Sequence, residues 1–207
     1  MTAKQIAAVV LAAGLSSRMG MPKLLLPWGK STILGSVLKA LNQEEIGKVI
    51  VVVGAYQEAM EKMINAIDLP VQIVLNPGFE NGEMSDSIKI GIRALEGIDA
   101  ALIVLGDHPQ ISPDLVYRLC MAFHAGRGDI IVPSYAMKRG HPWLVGKKYW
   151  GELETMSSNF TMRDFLHRHS DHIYYVVTDS EEVIADIDTP EDYNKAIKSP
   201  PPGIQEF

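Results

Sequence analysis

The chain has 207 residues, of which 47% are hydrophobic, and this is enough for one α/β domain with a buried core. Its 25 Asp and Glu residues outnumber 19 Lys and Arg, and a net charge of −6 argues against the basic surface that nucleic-acid binding needs. Neither a membrane-length apolar run nor the apolar core of a signal peptide is present, so we expect a cytoplasmic protein without membrane contact. The single cysteine, Cys120, lies in an apolar helical pattern, which indicates a buried thiol in a reducing compartment.

Apolar, β-prone runs alternate with amphipathic helical patterns along the chain. The predicted strands are 6–11, 48–53, 71–75, 100–105, 129–132, 173–177 and 183–187. The predicted helices are 31–41 with Ser31 as its cap, 56–67, a helix capped by Ser85 that ends near Leu95, one that starts at Ser112, and 161–169. Fully apolar strands joined by helices predict an α/β fold with a mostly parallel, twisted sheet that helices cover on both faces. We expect residues 1–198 to form a single domain and 199–207 to be a mobile, proline-rich tail.

The most informative segment directly follows the first predicted strand. It reads Leu11-Ala-Ala-Gly-Leu-Ser-Ser-Arg-Met-Gly-Met-Pro-Lys23. Glycines allow backbone N–H groups to approach phosphate oxygens, and Arg18 and Lys23 supply positive charge. The spacing of Gly14 and Gly20 does not fit a P-loop, and the segment lacks the first glycine of a dinucleotide fingerprint. We therefore predict a polyphosphate-binding loop, the alternative being an ordinary turn with two solvated cations.

Other polar residues follow predicted strands and should share the same edge of the sheet. Ligand sites of parallel sheets lie at the carboxyl ends of strands. The residues just beyond such ends are Gly14, Asn76, Asp107 and Pro133. We expect these four loops to open on one candidate site.

Two aspartates are predicted to bind Mg²⁺, because carboxylate oxygens suit this ion. Asp107 comes directly after a buried strand, and the alternative is a loop acid that caps a turn. Asp188 is the second predicted ligand, near the end of the strand predicted over 183–187. The following Thr-Pro-Glu-Asp, residues 189–192, is already explained as a helix start. Asp186, two residues before Asp188, is expected to be solvated.

The histidines give weaker signals. His141, in Gly140-His141-Pro142, could donate a hydrogen bond to a phosphate or a substrate ring, although a lone histidine in a turn is usually structural. His167, His169 and His172 lack acidic or thiolate partners at ligand spacing, which favours a solvated helix end over a metal site.

Taken together, these motifs resemble a known family. The pattern Leu-Ala-Ala-Gly-x-Ser-x-Arg-Met-Gly-x-x-Lys that begins at Leu11 is similar to the start of nucleotidyltransferases that activate sugar phosphates and pterin cofactors. Further motifs resemble one branch, the molybdenum cofactor cytidylyltransferases. They are Asn76-Pro77-x-Phe79 followed by Gly82, Leu105-Gly106-Asp107-x-Pro109, Gly140-His141-Pro142 and Asp186-Ile-Asp-Thr-Pro-Glu-Asp192. The resemblance implies a three-layer, Rossmann-like nucleotidyltransferase fold.

The resemblance also implies a reaction, in which CMP passes from CTP to the terminal phosphate of molybdenum-bearing molybdopterin and pyrophosphate leaves. A phosphate monoester has a second pKa of about 6 and can attack without a general base, so alignment and charge neutralisation remain. In this account Asp107 and Asp188 hold Mg²⁺, His141 faces the pterin, and the methyl group of Ala13 favours a pyrimidine base. The nucleotide-binding residues would be Leu11, Ala12, Ala13, Gly14, Arg18, Lys23, Ser85, Ser87 and Asp107, of which Arg18, Lys23 and Asp107 are also catalytic.

Some features leave the base and the acceptor open. Glu83 and Asp86 stand where this branch would have small or neutral residues, and they bring negative charge toward the predicted triphosphate. One alternative is a nucleotidyltransferase that acts on a sugar phosphate or another small phosphorylated acceptor. The other is a non-catalytic carrier or maturation protein for the molybdenum cofactor. If the chain handles the molybdenum cofactor, transient contact with a molybdoenzyme or its chaperone is a further expected interaction.

Overall fold

The computed structural model describes residues 5–16, 19–67, 69–157 and 160–198. The predicted phosphate ligand Arg18 and the predicted tail 199–207 lie outside this part. The strands are β1 (Ile6–Ala12), β2 (Pro27–Trp28), β3 (Ser31–Thr32), β4 (Ile46–Val53), β5 (Val71–Leu75), β6 (Ala100–Leu105), β7 (Ile130–Tyr135), β8 (Lys138–Arg139), β9 (Trp143–Gly146) and β10 (Ile173–Val177). The α-helices are α1 (Ile33–Ala40), α2 (Gln57–Asn65), α3 (Met84–Arg93), α4 (Pro113–His124), α5 (Trp150–Thr155), α6 (Met162–Arg168) and α7 (Pro190–Lys198). No described helix combines the length and hydropathy that crossing a bilayer requires.

The main sheet is mostly parallel, as predicted. Its strand order is β10-β7-β9-β6-β1-β4-β5, and β8 extends β7 as a short antiparallel hairpin. Parallel pairs join β1 to β4 and β6, β4 to β5, and β7 to β10. Besides the short β8, the antiparallel strand is β9, which was not predicted and lies between β6 and β7.

Helices cover both faces of this sheet and form the three layers that the sequence predicted. On one face, Ala8 of β1 packs in a cluster with Leu34 of α1 and with residues of α4. On the other face, Val9 packs in a cluster with Ile88 of α3 and with residues of α6. Because β1 is buried from both sides, its sequence is continuously apolar rather than alternating. Cys120 is fully buried in the first cluster, and this burial raises the pKa of its thiol to about 12, as expected for a structural cysteine.

Helix α3 crosses the sheet so closely that Gly91 is required at the contact. A Cβ at this position would clash with Cγ1 of Val9 and lie 3.3 Å from Cγ2 of Val52. Alanine normally stabilises a helix interior by about 1 kcal/mol over glycine. Here we expect Gly91→Ala to lower the free energy of unfolding by about 1–3 kcal/mol, because the added methyl group overpacks the core.

Chemical denaturation measures this effect, and Gly151→Ala in α5 is the matched control. Apart from its chain neighbours and the backbone of its own helix, no described atom lies within 4 Å of a Cβ at Gly151, so that variant should be as stable as the wild type or more so. A Gly91→Ala protein as stable as wild type would contradict the close packing of α3 on β1.

Three local predictions were wrong. Thr32, rather than Ser31, caps α1 by accepting a hydrogen bond from the Gly35 N–H. Ser31 belongs to β3 and pairs with Trp28 of β2. Pro133 does not follow a strand but lies inside β7, opposite Val176 of β10. The strand predicted over 183–187 is instead a 3₁₀ helix, Glu181–Ile184, followed by extended chain. Ser180 begins that helix by accepting a hydrogen bond from the Glu182 N–H, and such a cap favours a turn over a strand.

Candidate active site

The turn after β1 and the turn after β6 open side by side at the carboxyl edge of the sheet. Leu11 and Leu105 are register partners in the parallel β1–β6 pair, so Gly14 and Asp107 follow neighbouring strand ends. The Gly106 N–H donates to the Leu11 carbonyl at 3.0 Å. A Cβ at Gly106 would lie 2.8 Å from that oxygen, so the close approach of the two turns requires glycine there. The predicted proximity is confirmed for the turns that carry Gly14 and Asp107, but not for Pro133, which lies inside β7.

Lys23 joins this edge to the segment that precedes α7. Its Nζ lies 2.6 Å from Oδ2 of Asp107 and 3.5 Å from Oδ1 of Asp188, and it donates to the carbonyl of Ile187. The Lys23 N–H also donates to Oγ of Ser16, which folds the turn back on itself. The lysine side chain is only 9% exposed. A buried ammonium needs such partners, and here they are the two predicted metal ligands.

The donor set around Lys23 fits a divalent cation. Asp107 and Asp188 already converge on a single positive charge, and their hard carboxylate oxygens are the ligands that Mg²⁺ and Mn²⁺ take from proteins. Their side chains are 32% and 49% exposed, so phosphate oxygens can reach the same place from solvent. No described group of three or more His, Cys, Asp and Glu side chains could hold a metal ion alone. Substrate phosphates would therefore have to complete the coordination, which is common for Mg²⁺.

Asp186 is exposed, as the sequence predicted, but it does not lie on a strand. Its Oδ1 lies 3.0 Å from Nε2 of the buried His108, a contact that the sequence did not indicate. This hydrogen bond from His108 is the main reason that the pKa of Asp186 lies below its usual range. The Asp186 side chain remains 67% exposed. Asp186 thus contacts His108, whereas Asp188 contacts Lys23. His108 directly follows Asp107 in the chain but was not among the predicted site residues.

The start of α7 supports Asp188 from the other side. Asp192 Oδ2 accepts hydrogen bonds from the N–H groups of Thr189 and Asp188, at 2.9 and 3.3 Å. Thr189 in turn caps the helix, because its Oγ1 accepts from the Asp192 N–H. The Thr189 hydroxyl also donates to Oδ2 of Asp192 at 2.8 Å, and this hydrogen bond is the main reason that the pKa of Asp192 lies below its usual range. The prediction that residues 189–192 form a helix start is confirmed, and their acids need no catalytic role.

The two predicted nucleotide-binding serines are buried at the start of α3. Ser87 Oγ accepts a hydrogen bond from Nδ2 of Asn76, whose Oδ1 accepts from the Gly78 N–H. Asn76 therefore holds the loop after β5 in place. Ser85 is 7% exposed, and its Oγ has no hydrogen-bond partner among the described residues. Of the two serines, Ser85 is the one whose hydroxyl makes no hydrogen bond to a described residue, and its contact with a nucleotide stays a prediction.

The acids that depart from the family pattern have a structural explanation. Helix α3 is capped at Glu83, not at Ser85 as predicted, and the Glu83 N–H donates to Oδ2 of Asp86. Asp86 also pairs with Lys89 at 3.1 Å, and the hydrogen bond from Lys89 is the main cause of its lowered pKa. Both acids lie at the positive end of a helix dipole, where negative charge is stabilising. The charge of Asp86 is thus balanced locally.

His141 is packed between two aromatic rings. Its ring lies 3.8 Å from Trp143 between centroids and 5.4 Å from His108 in an edge-on contact. Its Nδ1 is buried without a hydrogen-bond partner among the described residues. Burial, with a smaller contribution from the neighbouring His108, lowers the pKa of His141 to about 3. The imidazole is therefore neutral at physiological pH, and its predicted role facing the acceptor stays a prediction.

We expect the His141 ring to show no protonation between pH 5 and pH 8. Its lowered pKa keeps the proton off until well below pH 5, so the ring carbon-bound proton should hold a constant chemical shift. The measurement is an NMR titration, with the His141→Gln spectrum identifying the signal. A midpoint near pH 6.5 for that signal would contradict the buried environment described above.

The histidines near α6 are a structural cluster. His169 Nε2 lies 2.7 Å from Oε2 of Glu152, and Arg168 pairs with the other oxygen of the same carboxylate at 2.8 Å. Glu152 thus ties α5 to α6. The prediction of a solvated helix end was wrong for His169, which is mostly buried.

Comparison with known proteins places this geometry in a family. Residues 8–173 match the model of the MobA-like NTP transferase domain. The chain is 32% identical over 187 residues to the molybdenum cofactor cytidylyltransferase of Escherichia coli (strain K12), covering 89% of this chain and 92% of that protein. The crystal structure of Rv0371c from Mycobacterium tuberculosis H37Rv superposes with a TM-score of 0.84 at 29% identity, over 96% of this chain and 100% of the other. A structure of Rv0371c in complex with manganese superposes with a TM-score of 0.78 at 27% identity, over 96% of this chain and 100% of the other. The chain therefore belongs to the MobA-like NTP transferase family and is a nucleotidyltransferase.

Proposed function

We propose that the chain transfers CMP from CTP to the terminal phosphate of molybdenum-bearing molybdopterin and releases pyrophosphate. The observation that carries this proposal is Lys23, whose ammonium lies between Asp107 and Asp188 beside the turn after β1. One cation and two carboxylates at that edge are what a triphosphate and a divalent ion require. The E. coli relative is named a molybdenum cofactor cytidylyltransferase, and the similarity spans nearly its whole length.

The chemistry needs little from the protein beyond alignment. A phosphate oxygen of the acceptor attacks the α-phosphorus of CTP, and the bond between the α-phosphorus and its bridging oxygen to the β-phosphorus breaks. The electron pair leaves with pyrophosphate, and no proton has to be removed from a dianionic nucleophile. Backbone groups of Ala12, Ala13 and Gly14 would hold the nucleotide, with Leu11 at the strand end. Arg18 and Lys23 would offset the charge on the triphosphate and on the leaving group.

Asp107 and Asp188 are the residues that would hold Mg²⁺. When bound, this ion supplies Lewis-acid stabilisation of negative charge on phosphate oxygens. Lys23 then has two sets of partners available: the carboxylates in the nucleotide-free chain and phosphate oxygens in the complex. Because Lys23 can contact both the carboxylates and the phosphate oxygens, its position supports a catalytic role.

Selectivity would arise at the two sides of this centre. On the nucleotide side, the unpartnered hydroxyl of Ser85 and the methyl group of Ala13 favour a small base, with Ser87 holding the loop. On the acceptor side, the neutral His141 can exchange hydrogen bonds with a ring without adding charge.

The single, buried Cys120 supports the expectation of a cytoplasmic enzyme.

The experiment offers purified protein CTP or GTP with Mg²⁺ and several phosphorylated acceptors, and it measures released pyrophosphate. We expect turnover with CTP and molybdenum-bearing molybdopterin, and a slower reaction with GTP. Turnover with a sugar 1-phosphate but not with the pterin would favour the first alternative. Binding of CTP without pyrophosphate release for any acceptor would favour a carrier.

A further inference from the structure

The segment that carries Asp188 is held mainly by side chains from elsewhere in the chain. After the 3₁₀ helix Glu181–Ile184, residues 185–188 belong to none of the described helices and strands. We call residues 182–188 the Asp188 segment. Because none of the described strands pairs with this segment, the contacts of its carbonyls and side chains decide where Asp188 lies.

Two of those contacts come from one short loop. Gln110 donates from Nε2 to the carbonyl of Ala185 at 2.7 Å and approaches that of Glu182 at 3.3 Å. His108 contacts the Asp186 carboxylate at 3.0 Å. Both side chains are buried, at 8% and 6% exposure, so their geometry is fixed by packing rather than by solvent.

The loop that supplies these two side chains is also the loop that carries Asp107. His108 and Gln110 are its first and third neighbours in Asp107-His-Pro-Gln110, directly after β6. The Asp188 segment is therefore fastened to the backbone that positions the other carboxylate. A third tie, from the His141 N–H to the Val183 carbonyl at 2.9 Å, holds the start of the segment.

From this arrangement we infer that His108 and Gln110 are positioning residues that set where the Asp188 carboxylate lies relative to Asp107. The inference rests on the proposed function, because it takes these two carboxylates as the ligands of the divalent cation. Neither side chain needs to touch substrate. Groups that orient metal ligands in this way typically change metal affinity or activity 10- to 100-fold when they are removed.

The test uses pairs of variants that differ only in the hydrogen bond. His108→Leu keeps the bulk of the side chain and removes its donor, whereas His108→Gln places an amide nitrogen near the position of Nε2. Gln110→Met removes the second tie at similar volume. Lys48→Met is the control, because it removes a comparable side-chain bond, to the Ala94 carbonyl, far from the Asp188 segment.

Three measurements are made on the full chain. The first is Mn²⁺ binding in the presence of α,β-methylene-CTP, followed by electron paramagnetic resonance of the free ion. The second is the kcat and KM for CTP at saturating Mn²⁺, and the third is the melting temperature. We expect His108→Leu and Gln110→Met to raise the half-saturating Mn²⁺ concentration about 10- to 100-fold and to lower kcat similarly. The KM for CTP should change by less than about threefold, because the contacts of the turn after β1 are intact.

The rescuing variant His108→Gln and the control Lys48→Met distinguish a positioning role of His108 from a nonspecific loss of stability. His108→Gln should bind Mn²⁺ within about threefold of wild type, and Lys48→Met should match wild type in both Mn²⁺ affinity and kcat. Equal Mn²⁺ affinity for His108→Leu and wild type, with both folded, would overturn the inference and leave the proposed function standing. Equal losses in His108→Leu and His108→Gln would also overturn it. If the wild type shows no Mn²⁺-dependent binding of the analogue, the proposed function itself fails.

Discussion

Lys23→Met is expected to lower kcat for nucleotidyl transfer by about 100- to 1000-fold, the loss typical of removing one preorganised donor to developing charge. The ammonium is nearly buried and lies where the turn after β1 meets Asp107, so solvent cannot replace it. Steady-state release of pyrophosphate measures the effect. Lys30→Met is the control, because this lysine is exposed in the turn between β2 and β3, and it should retain wild-type turnover within about threefold.

The same substitution should change Mn²⁺ binding in the opposite direction. In the nucleotide-free chain the ammonium neutralises Asp107 and Asp188, so it competes with any other cation for those oxygens. Lys23→Met should therefore bind Mn²⁺ alone more tightly than wild type, by roughly tenfold. Lower kcat with tighter Mn²⁺ binding is a combination that simple unfolding cannot produce. Wild-type kcat in Lys23→Met would contradict the assignment of this lysine to the triphosphate.

The second large effect is expected for Asp107→Asn, which should lower kcat by at least about 100-fold. The substitution keeps the size of the side chain but removes the charge that faces Lys23 and would hold the metal ion. The half-saturating Mg²⁺ concentration should rise as well, since a neutral amide is a weaker ligand than a carboxylate. Kinetics at a series of Mg²⁺ concentrations measure both quantities.

The control for Asp107→Asn is Asp114→Asn in the first turn of α4. That carboxylate is exposed and pairs only loosely with Arg118, at 3.8 Å, so its loss should leave kcat unchanged. If Asp107→Asn retained wild-type activity with the same dependence on Mg²⁺, Asp107 could not be a metal ligand of the reaction.

The parts of the fold that the sequence predicted best are those that local chemistry determines. β6 and β10 have the predicted boundaries, because each is a bounded β-prone run. The start of α4 was predicted for a similar reason, since Ser112 caps it and Pro113 occupies its first position. The meeting of the Gly14 and Asp107 turns followed from the parallel order of the strands. These features depend on residues close together in the chain.

The features that sequence reasoning missed depend on distant residues. His108 and Asp186 are 78 positions apart, and nothing in either neighbourhood indicates the other. The antiparallel β9 was missed because its orientation is decided by pairing with β6 and β7 on either side. The apolar residues around Val183 suggested a strand, but the hydrogen bond that the Ser180 side chain accepts from the Glu182 N–H starts a 3₁₀ helix there instead.

The acids at the start of α3 show how a local motif can be read for the wrong purpose. Glu83 and Asp86 departed from the expected pattern because their negative charge beside a triphosphate would be electrostatically unfavourable. The structure gives them a role in starting the helix, with Lys89 as the counter-charge. Ser85, which we expected to cap the helix, does not do so, and its hydroxyl has no hydrogen-bond partner in the described part of the chain.

The most direct test of the central claim is a crystal structure of the chain grown with CTP and MgCl₂. Our account predicts triphosphate density in the turn after β1, with Nζ of Lys23 on phosphate oxygens and one Mg²⁺ bound by both Asp107 and Asp188. A triphosphate bound elsewhere, with Lys23 still paired to the two aspartates, would contradict it.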